Sequence, residues 1–195
     1  MSQKTGVDLG LTDDEKLYLL RLAREVISKK VKGINPDIPE PPTEKLHEKR
    51  GAFVTLNKFG QLRGCIGYIE AIKPLYLTIA EMAESAAFRD PRFPPVTADE
   101  VPDLEIEISV LTPLRPIESV DEIHVGKHGI LIRQGFYQGL LLPQVATDYG
   151  WNRETFLTQT CHKAGLPGDC WKESDTEILI FSADIFSEED FRESL

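Results

Sequence analysis

Gly51-Ala52-Phe53-Val54-Thr55-Leu56-Asn57-Lys58-Phe59-Gly60-Gln61-Leu62-Arg63-Gly64-Cys65-Ile66-Gly67-Tyr68-Ile69 is two apolar runs on either side of a turn. Residues 53–56 and 62–69 have strand composition, and Asn57-Lys58-Phe59-Gly60 separates them, so the segment predicts a β-hairpin. The second strand carries Leu62-Arg63-Gly64-Cys65-Ile66-Gly67, with one guanidinium and one thiol among glycines. Alternation puts Arg63 and Cys65 on one face and Leu62, Gly64 and Ile66 on the other. Glycine weakens a strand, so Gly64 and Gly67 mark a bulge or a close approach by a ligand or another backbone. A positive fork beside a thiol suits a small anion or a reactive thiolate. The competing reading makes Cys65 a small buried hydrophobe and Arg63 a structural ion-pair partner, since free Cys is among the most buried residue types. Both readings stand at this point.

Around the hairpin the pattern alternates between helix and strand. Thr12 followed by Glu15 is a capping box, and Leu19, Leu20, Leu22, Ala23, Val26 and Ile27 recur at helical spacing, which predicts a helix over residues 12–32 stopped by Gly33. Pro36, Pro39, Pro41 and Pro42 make residues 35–43 an extended strap. Residues 75–88 read as a second helix with Ile79, Met82, Ala83, Ala86 and Ala87 inward. Residues 104–111 alternate Ile106, Ile108 and Val110 against Glu105, Glu107 and Ser109, a half-buried strand with one wet face. The same order then recurs: a hairpin over 129–142, a helix over 153–164, and a closing strand over 176–183. The pattern predicts an internal duplication, with repeats over residues 51–111 and 129–186. Two such copies build an α+β domain on a largely antiparallel sheet. A half-repeat has too few strands to close a sheet alone, so residues 1–195 are expected to share one continuous core.

The bulk numbers narrow the function. The 195 residues carry a formal net charge of −10 and 41% hydrophobic residues. A surface this acidic, without a dense basic run, argues against nucleic-acid binding. The polar N-terminus has no signal-peptide core and no apolar stretch is long enough to span a membrane, which points to a cytoplasmic protein. Three cysteines without a secretory signal predict reduced thiols rather than a disulfide framework. Their spacing offers no structural zinc site.

Other segments carry candidate chemistry. In Arg89-Asp90-Pro91-Arg92-Phe93, Pro91 pushes Asp90 out of helical geometry and fixes Asp90 and Arg92 in a stiff turn. That turn is either a cap with a surface ion pair or part of a site. His124 and His128 stand four apart, but Gly126 and Gly129 argue for a turn, so no metal is expected there. His128 is the better candidate for a buried, hydrogen-bonded imidazole or an acid/base. Gln144 follows an apolar run and is placed to line a pocket or bond a backbone edge. Cys161 falls on the core face of its helix. No phosphate loop, GxSxG elbow, HExxH or dinucleotide fingerprint occurs, and no cofactor is expected.

Together these motifs resemble the AMMECR-type domain family. The likeness rests on FVTL (residues 53–56), LRGCIG (62–67), DPRFPPV (90–96), EISVLTP (107–113), VGKHGI (125–130), GLLLPQVA (139–146) and KAGLP (163–167), co-linear over nearly the whole chain. Archaeal and bacterial members are similar to component A of the AmmeMemoRadiSam system. The resemblance implies an α+β fold of duplicated β3-α2-β units around a single barrel-like, mostly antiparallel sheet. It also implies a functional LRGCIG run and an association with Memo-like and radical-SAM proteins. Two functions are then open. One is an enzyme or accessory catalytic subunit, with Cys65 and His128 as catalytic groups and Arg63, Gly64, Gly67, Asp90, Arg92 and Gln144 holding a small ligand. The other is a non-catalytic binding or docking module. An enzyme converges these groups with perturbed pKa values; a docking module shows an exposed apolar patch.

Overall fold

The computed structural model describes residues 5–194. Helix α1 (Asp13–Lys30) opens on Thr12, whose hydroxyl accepts from the Glu15 N–H while the Glu15 carboxylate accepts from the Thr12 N–H. Strands β1 (Ala52–Lys58) and β2 (Gln61–Tyr68), helix α2 (Leu75–Phe88) and strand β3 (Leu104–Leu111) follow. After a short β4 (Arg115–Pro116) come β5 (Gly129–Gln134), β6 (Tyr137–Leu141), α3 (Pro143–Asp148), α4 (Arg153–Lys163), β7 (Glu177–Phe181) and β8 (Ala183–Ser187). Among the described residues, no helix is long and apolar enough to cross a membrane.

The mixed α/β class is as expected, and every strand pairing described is antiparallel. The single barrel-like sheet is not. There are two four-stranded sheets, in the orders β2-β1-β3-β8 and β4-β7-β5-β6. Each copy keeps one plan: its first strand is central, its hairpin partner lies on one side and its closing strand on the other. The fourth strand of each sheet is exchanged, because β8 follows β7 yet edges the first sheet, and β4 follows β3 yet edges the second. The physical reason for two ladders lies at the residues just after the closing strands, Thr112 and Ser182, which belong to neither strand. Thr112 donates its N–H to the Ser182 carbonyl at 2.9 Å, and the Ser182 N–H goes to Thr112 Oγ1 at 2.8 Å. Those bonds use groups that would otherwise have extended one continuous sheet.

Two compact units result. One joins Thr112–Asp184 to the residues up to Leu9, and the other joins Gly10–Leu111 to the residues from Ile185 onward. In the latter, α1 packs on α2, and α2 covers β1 and β2, with Leu19, Leu20, Val54, Leu56, Ile79, Ile106 and Ile108 fully buried. In the former, Phe156, Leu157 and Cys161 of α4 bury against Ile130, Ile132 and Ile180 of the sheet.

One cysteine expectation is corrected here. Cys161 and Cys170 form a disulfide with their Cα atoms 5.9 Å apart, inside the range a disulfide can bridge. Gly165, at φ +76°, turns the chain back after α4, and the short 3₁₀ turn Cys170–Lys172 packs on that helix. Cys65 is the free cysteine.

Because each unit draws on two separated stretches of chain, a single nick removes a strand from both. Cleavage near Asp121 leaves the N-terminal fragment without β8, which exposes the outer edge of β3 to unsatisfied pairing. Limited proteolysis is therefore expected to trim the termini or cut the 35–43 strap. Two stable halves released by a cut near Asp121 would overturn the expectation of one cooperative core.

Candidate functional site

The first sheet sorts its side chains by register. Val54 opposes Ile66 and Ile108, and Leu56 opposes Gly64 and Ile106; these face α2. The alternate row sets Thr55 of β1 between Cys65 of β2 and Glu107 of β3. A thiol, a hydroxyl and a carboxylate therefore lie abreast on the face away from α2. Thr55 Oγ1 donates to Cys65 Sγ at 3.2 Å.

Arg63 does not belong to that row. Leu56 pairs with Gly64 and Asn57 with Leu62, which leaves Arg63 as the extra residue of a β-bulge. A bulge breaks the two-residue alternation and re-aims its side chain, so the expected shared face with Cys65 is lost. The Arg63 guanidinium instead grips Glu100 with two bonds of 3.0 Å. Glu100 also accepts from Lys58 Nζ at 3.1 Å and from the Thr97 N–H at 3.1 Å. The Arg63 fork, chiefly, holds the Glu100 carboxyl down to about 2 against some opposing burial. Glu100 lies in no motif the sequence singled out; its only advance signal is position, four residues after Val96 closes the DPRFPPV run.

Asp90 and Arg92 do come to the LRGCIG strand. The Asp90 carboxylate is buried and accepts from the Cys65 N–H at 2.9 Å. It also accepts from the Arg92 N–H at 3.1 Å and from the Arg92 guanidinium at 2.9 and 2.7 Å. Arg92 in turn donates to the Cys65 carbonyl at 3.3 Å. Strand β2 is an edge of its sheet, so Asp90 and Arg92 occupy backbone groups that another strand would otherwise seek. Burial pushes the Asp90 carboxyl up, but Arg92 and the two backbone N–H donors outweigh it and hold it at about 2.

The thiol behaves differently from the reactive-site expectation. Cys65 is half-buried as a residue, and burial of its sulfur pushes the thiol pKa up. Thr55 and Arg92 oppose that rise, while Glu107 and Asp90 assist it. The cation acting on the sulfur is thus Arg92, not Arg63. Iodoacetamide labelling of the folded protein at neutral pH is expected to be slower than that of a free cysteine and to accelerate as pH rises. Faster labelling than free cysteine would restore a thiolate enzyme.

The glycines also find their explanation in the chain itself. A Cβ on Gly64 would stand 2.2 Å from the Ala86 carbonyl oxygen, and one on Gly67 would stand 2.3 Å from the Phe53 ring. The room each glycine leaves on its own face is taken by the chain itself, by α2 at Gly64 and by Phe53 at Gly67, so these glycines are not evidence of space for a ligand.

The second copy supplies an internal reference. Gly139 of β6 opposes Ile132 as Gly64 opposes Leu56, and its missing Cβ admits the end of α4, 2.3 Å from the Ala164 nitrogen. Aligned on these glycines, Thr55, Cys65 and Glu107 correspond to Leu131, Leu140 and Leu179. The same row is wholly leucine where packing alone decides it, and polar in the copy that carries LRGCIG.

His128 and Gln144 belong to the other unit. His128 is buried, and its Nδ1 accepts from the His124 N–H at 3.1 Å. Burial, helped by Lys127, His124 and Arg115, lowers its pKa, against a bond to the Glu122 backbone. The imidazole is thus neutral and tied into its own loop. Gln144 sits half-buried in the first turn of α3, a helix that Pro143 opens and that the expected hairpin had not anticipated.

The family model for AMMECR1 matches residues 20–186. A protein of Thermococcus gammatolerans is 47% identical over 192 residues, covering 92% of this chain and 93% of its own. One from Methanothermobacter thermautotrophicus is 46% identical over 186 residues, covering 92% and 97%. The crystal structure of the uncharacterized protein PH0010 from Pyrococcus horikoshii superposes with a TM-score of 0.88 at 44% identity, covering 92% of this chain and 94% of that one.

Proposed function

The chain belongs to the AMMECR1 family, and from that premise we propose that it binds a small polar molecule over the Cys65–Thr55–Glu107 row. In this reading it is an accessory subunit and not a thiolate enzyme. The observation that carries the proposal is the contrast with the leucine row of the second copy. Polar groups on a half-buried sheet face cost stability relative to leucine unless something uses them. A neutral thiol, a hydroxyl and a carboxylate offer both donors and acceptors to a ligand. Memo-like and radical-SAM proteins are the proposed partners, in the cytoplasm, with chemistry performed on their side.

A second reading, docking without a ligand, is favoured by one observation. Phe59 stands at the tip of the β1–β2 turn with φ +52° and is 79% exposed. A non-glycine residue in that region is strained, and an exposed aromatic there suits insertion into a partner.

The test is the triple variant Thr55→Leu, Cys65→Leu, Glu107→Leu, which copies the second repeat. Native mass spectrometry of the protein from its natural host is expected to show a bound small molecule on the wild type and none on the variant, with the melting temperature of the variant maintained or raised. A wild type without an adduct, or an adduct that survives in the variant, would remove the ligand reading and leave docking.

A further inference from the structure

We propose that the corner formed by Arg63, Phe93 and Arg92 is a subsite for an oxyanion, the carboxylate or phosphate group of the ligand. The proposal rests on the reading above that the adjoining sheet face binds a small molecule, and it names the charge that molecule carries.

Three observations converge on this corner. First, Arg63 Nη1 is buried and has no hydrogen-bond partner, although Nε and Nη2 are both committed to Glu100. A guanidinium nitrogen without an acceptor is costly, and such a group in an otherwise satisfied network calls for an explanation. Second, cations are concentrated here. Lys58 and Arg63 share the single carboxylate of Glu100 while Arg92 pairs with Asp90, which gathers three cations at one place on a chain whose formal net charge is −10; the next carboxylate, Glu107, lies in the adjoining row beside Cys65. Third, both guanidinium carbons lie against one ring, Arg63 at 5.9 Å and Arg92 at 5.5 Å from the centroid of Phe93. Cation–π contact of this kind holds planar guanidinium groups in place without consuming their N–H donors.

The access is asymmetric in a useful way. The Arg63 side chain is 11% exposed and that of Arg92 is 42% exposed. Arg92 uses Nε and Nη2 on Asp90 and on the Cys65 carbonyl, and Nη1 is the nitrogen of this part-exposed guanidinium that those bonds do not use. An oxyanion entering past Arg92 meets that nitrogen, and a buried donor on Arg63 marks the inner end of the corner. Charge-assisted bonds to guanidinium groups are the strong ones. Because Arg92 also donates to Cys65, the anion subsite adjoins the polar row, and one molecule can occupy both.

The experiment uses the full chain and observes arginine side-chain N–H resonances by NMR. Inorganic phosphate and sodium acetate are titrated separately, with sodium chloride at matched ionic strength as control. The Arg63 and Arg92 Nε–H signals are expected to shift saturably, while those of Arg115 and Arg153, paired with Glu122 and Asp121, stay in place. Saturation by phosphate alone assigns a phosphoryl group, and saturation by acetate alone assigns a carboxylate. Arg92→Lys keeps the charge but removes the fork, and is expected to weaken the response about tenfold; because Arg92 also holds Asp90 and the Cys65 carbonyl, the variant's melting temperature is expected to fall, and the titration is run well below it. No saturable shift, or equal shifts at all four arginines, would overturn the proposal. The triple leucine variant separates the two readings. If it loses the adduct while phosphate and acetate leave Arg63 and Arg92 unmoved in the wild type, the subsite falls and the sheet-face reading stands. If the oxyanions saturate but no adduct is ever carried, the sheet-face reading falls.

Discussion

Replacing Gly64 with alanine is expected to lower the unfolding free energy by about 3 kcal/mol, the upper end for forcing extra volume into a packed site. The added Cβ would stand 2.2 Å from the Ala86 carbonyl oxygen. That atom is backbone inside α2, so relief requires moving the helix off the sheet. Gly139→Ala should behave alike, because its Cβ would meet the Ala164 nitrogen at 2.3 Å. Gly60 is the control. It has φ +74° and nothing within 4 Å of a Cβ, so Gly60→Ala is expected to cost only about 1 kcal/mol of backbone strain. Urea titration of the three variants checks the ranking. If Gly64→Ala changed stability by less than about 0.5 kcal/mol, within the range of an ordinary surface substitution, the glycine would serve access to the site and not the approach of the helix. Equal losses at Gly64 and Gly139 would show that this glycine belongs to the repeat, leaving Cys65 and Arg63 as the parts of the motif peculiar to the first copy.

Where local chemistry and periodicity agree, the sequence is a sound guide. The Thr12 and Glu15 capping box, the inward stripe of α2 and the Ile106, Ile108, Val110 alternation each fix an element to within a residue or two, because each rests on contacts close in sequence. The duplication is legible for the same reason. What lay hidden depends on distant partners. The bulge at Arg63 follows from the pairing register of β1 against β2, which alternation alone cannot reveal. The exchange of β4 and β8 between sheets turns on bonds between Thr112 and Ser182, seventy positions apart. Leu140-Leu141-Leu142-Pro143 reads as the end of a strand, yet Pro143 begins α3, since proline is as suited to the first helical turn as to a strand end. The disulfide of Cys161 and Cys170 was masked by an argument about compartment, which says nothing of the 5.9 Å that separates their Cα atoms. At the candidate site the sequence brought Asp90 and Arg92 to the LRGCIG strand, and both bond to the Cys65 backbone. It was silent on Glu100, Thr55 and Glu107, whose roles arise only when three strands and a loop are brought side by side.

Acid should unfold this protein through Asp90 and Glu100. Their carboxyl groups are held at about 2, against ordinary values of 3.8 and 4.5. Both shifts are depressions, so the unfolded chain takes up these protons at higher pH than the folded one, and stability rises with pH across that interval. The contribution is complete above the ordinary values and is lost as pH falls from about 4.5 to about 2. Each carboxylate is largely buried, and the depressions correspond to about 2 kcal/mol for Asp90 and about 3 kcal/mol for Glu100, since one unit of pKa is worth about 1.4 kcal/mol. His128 adds a shallower loss that begins below its ordinary 6.5, because its folded value is also depressed by burial. Denaturant midpoints measured from pH 7 to pH 2 should therefore decline gently at first and steeply below about pH 4.5. Asp90→Asn is expected to cost about 3 kcal/mol at pH 7, the scale of breaking one partner of a buried pair, and to reduce the steep slope by about one proton. The loss at pH 7 comes from the Cys65 N–H and the Arg92 guanidinium, which no longer share a charged acceptor. A variant that lost stability at pH 7 but kept the full acid slope would show that Asp90 titrates normally, and that the latch on β2 is held by shape and not by charge.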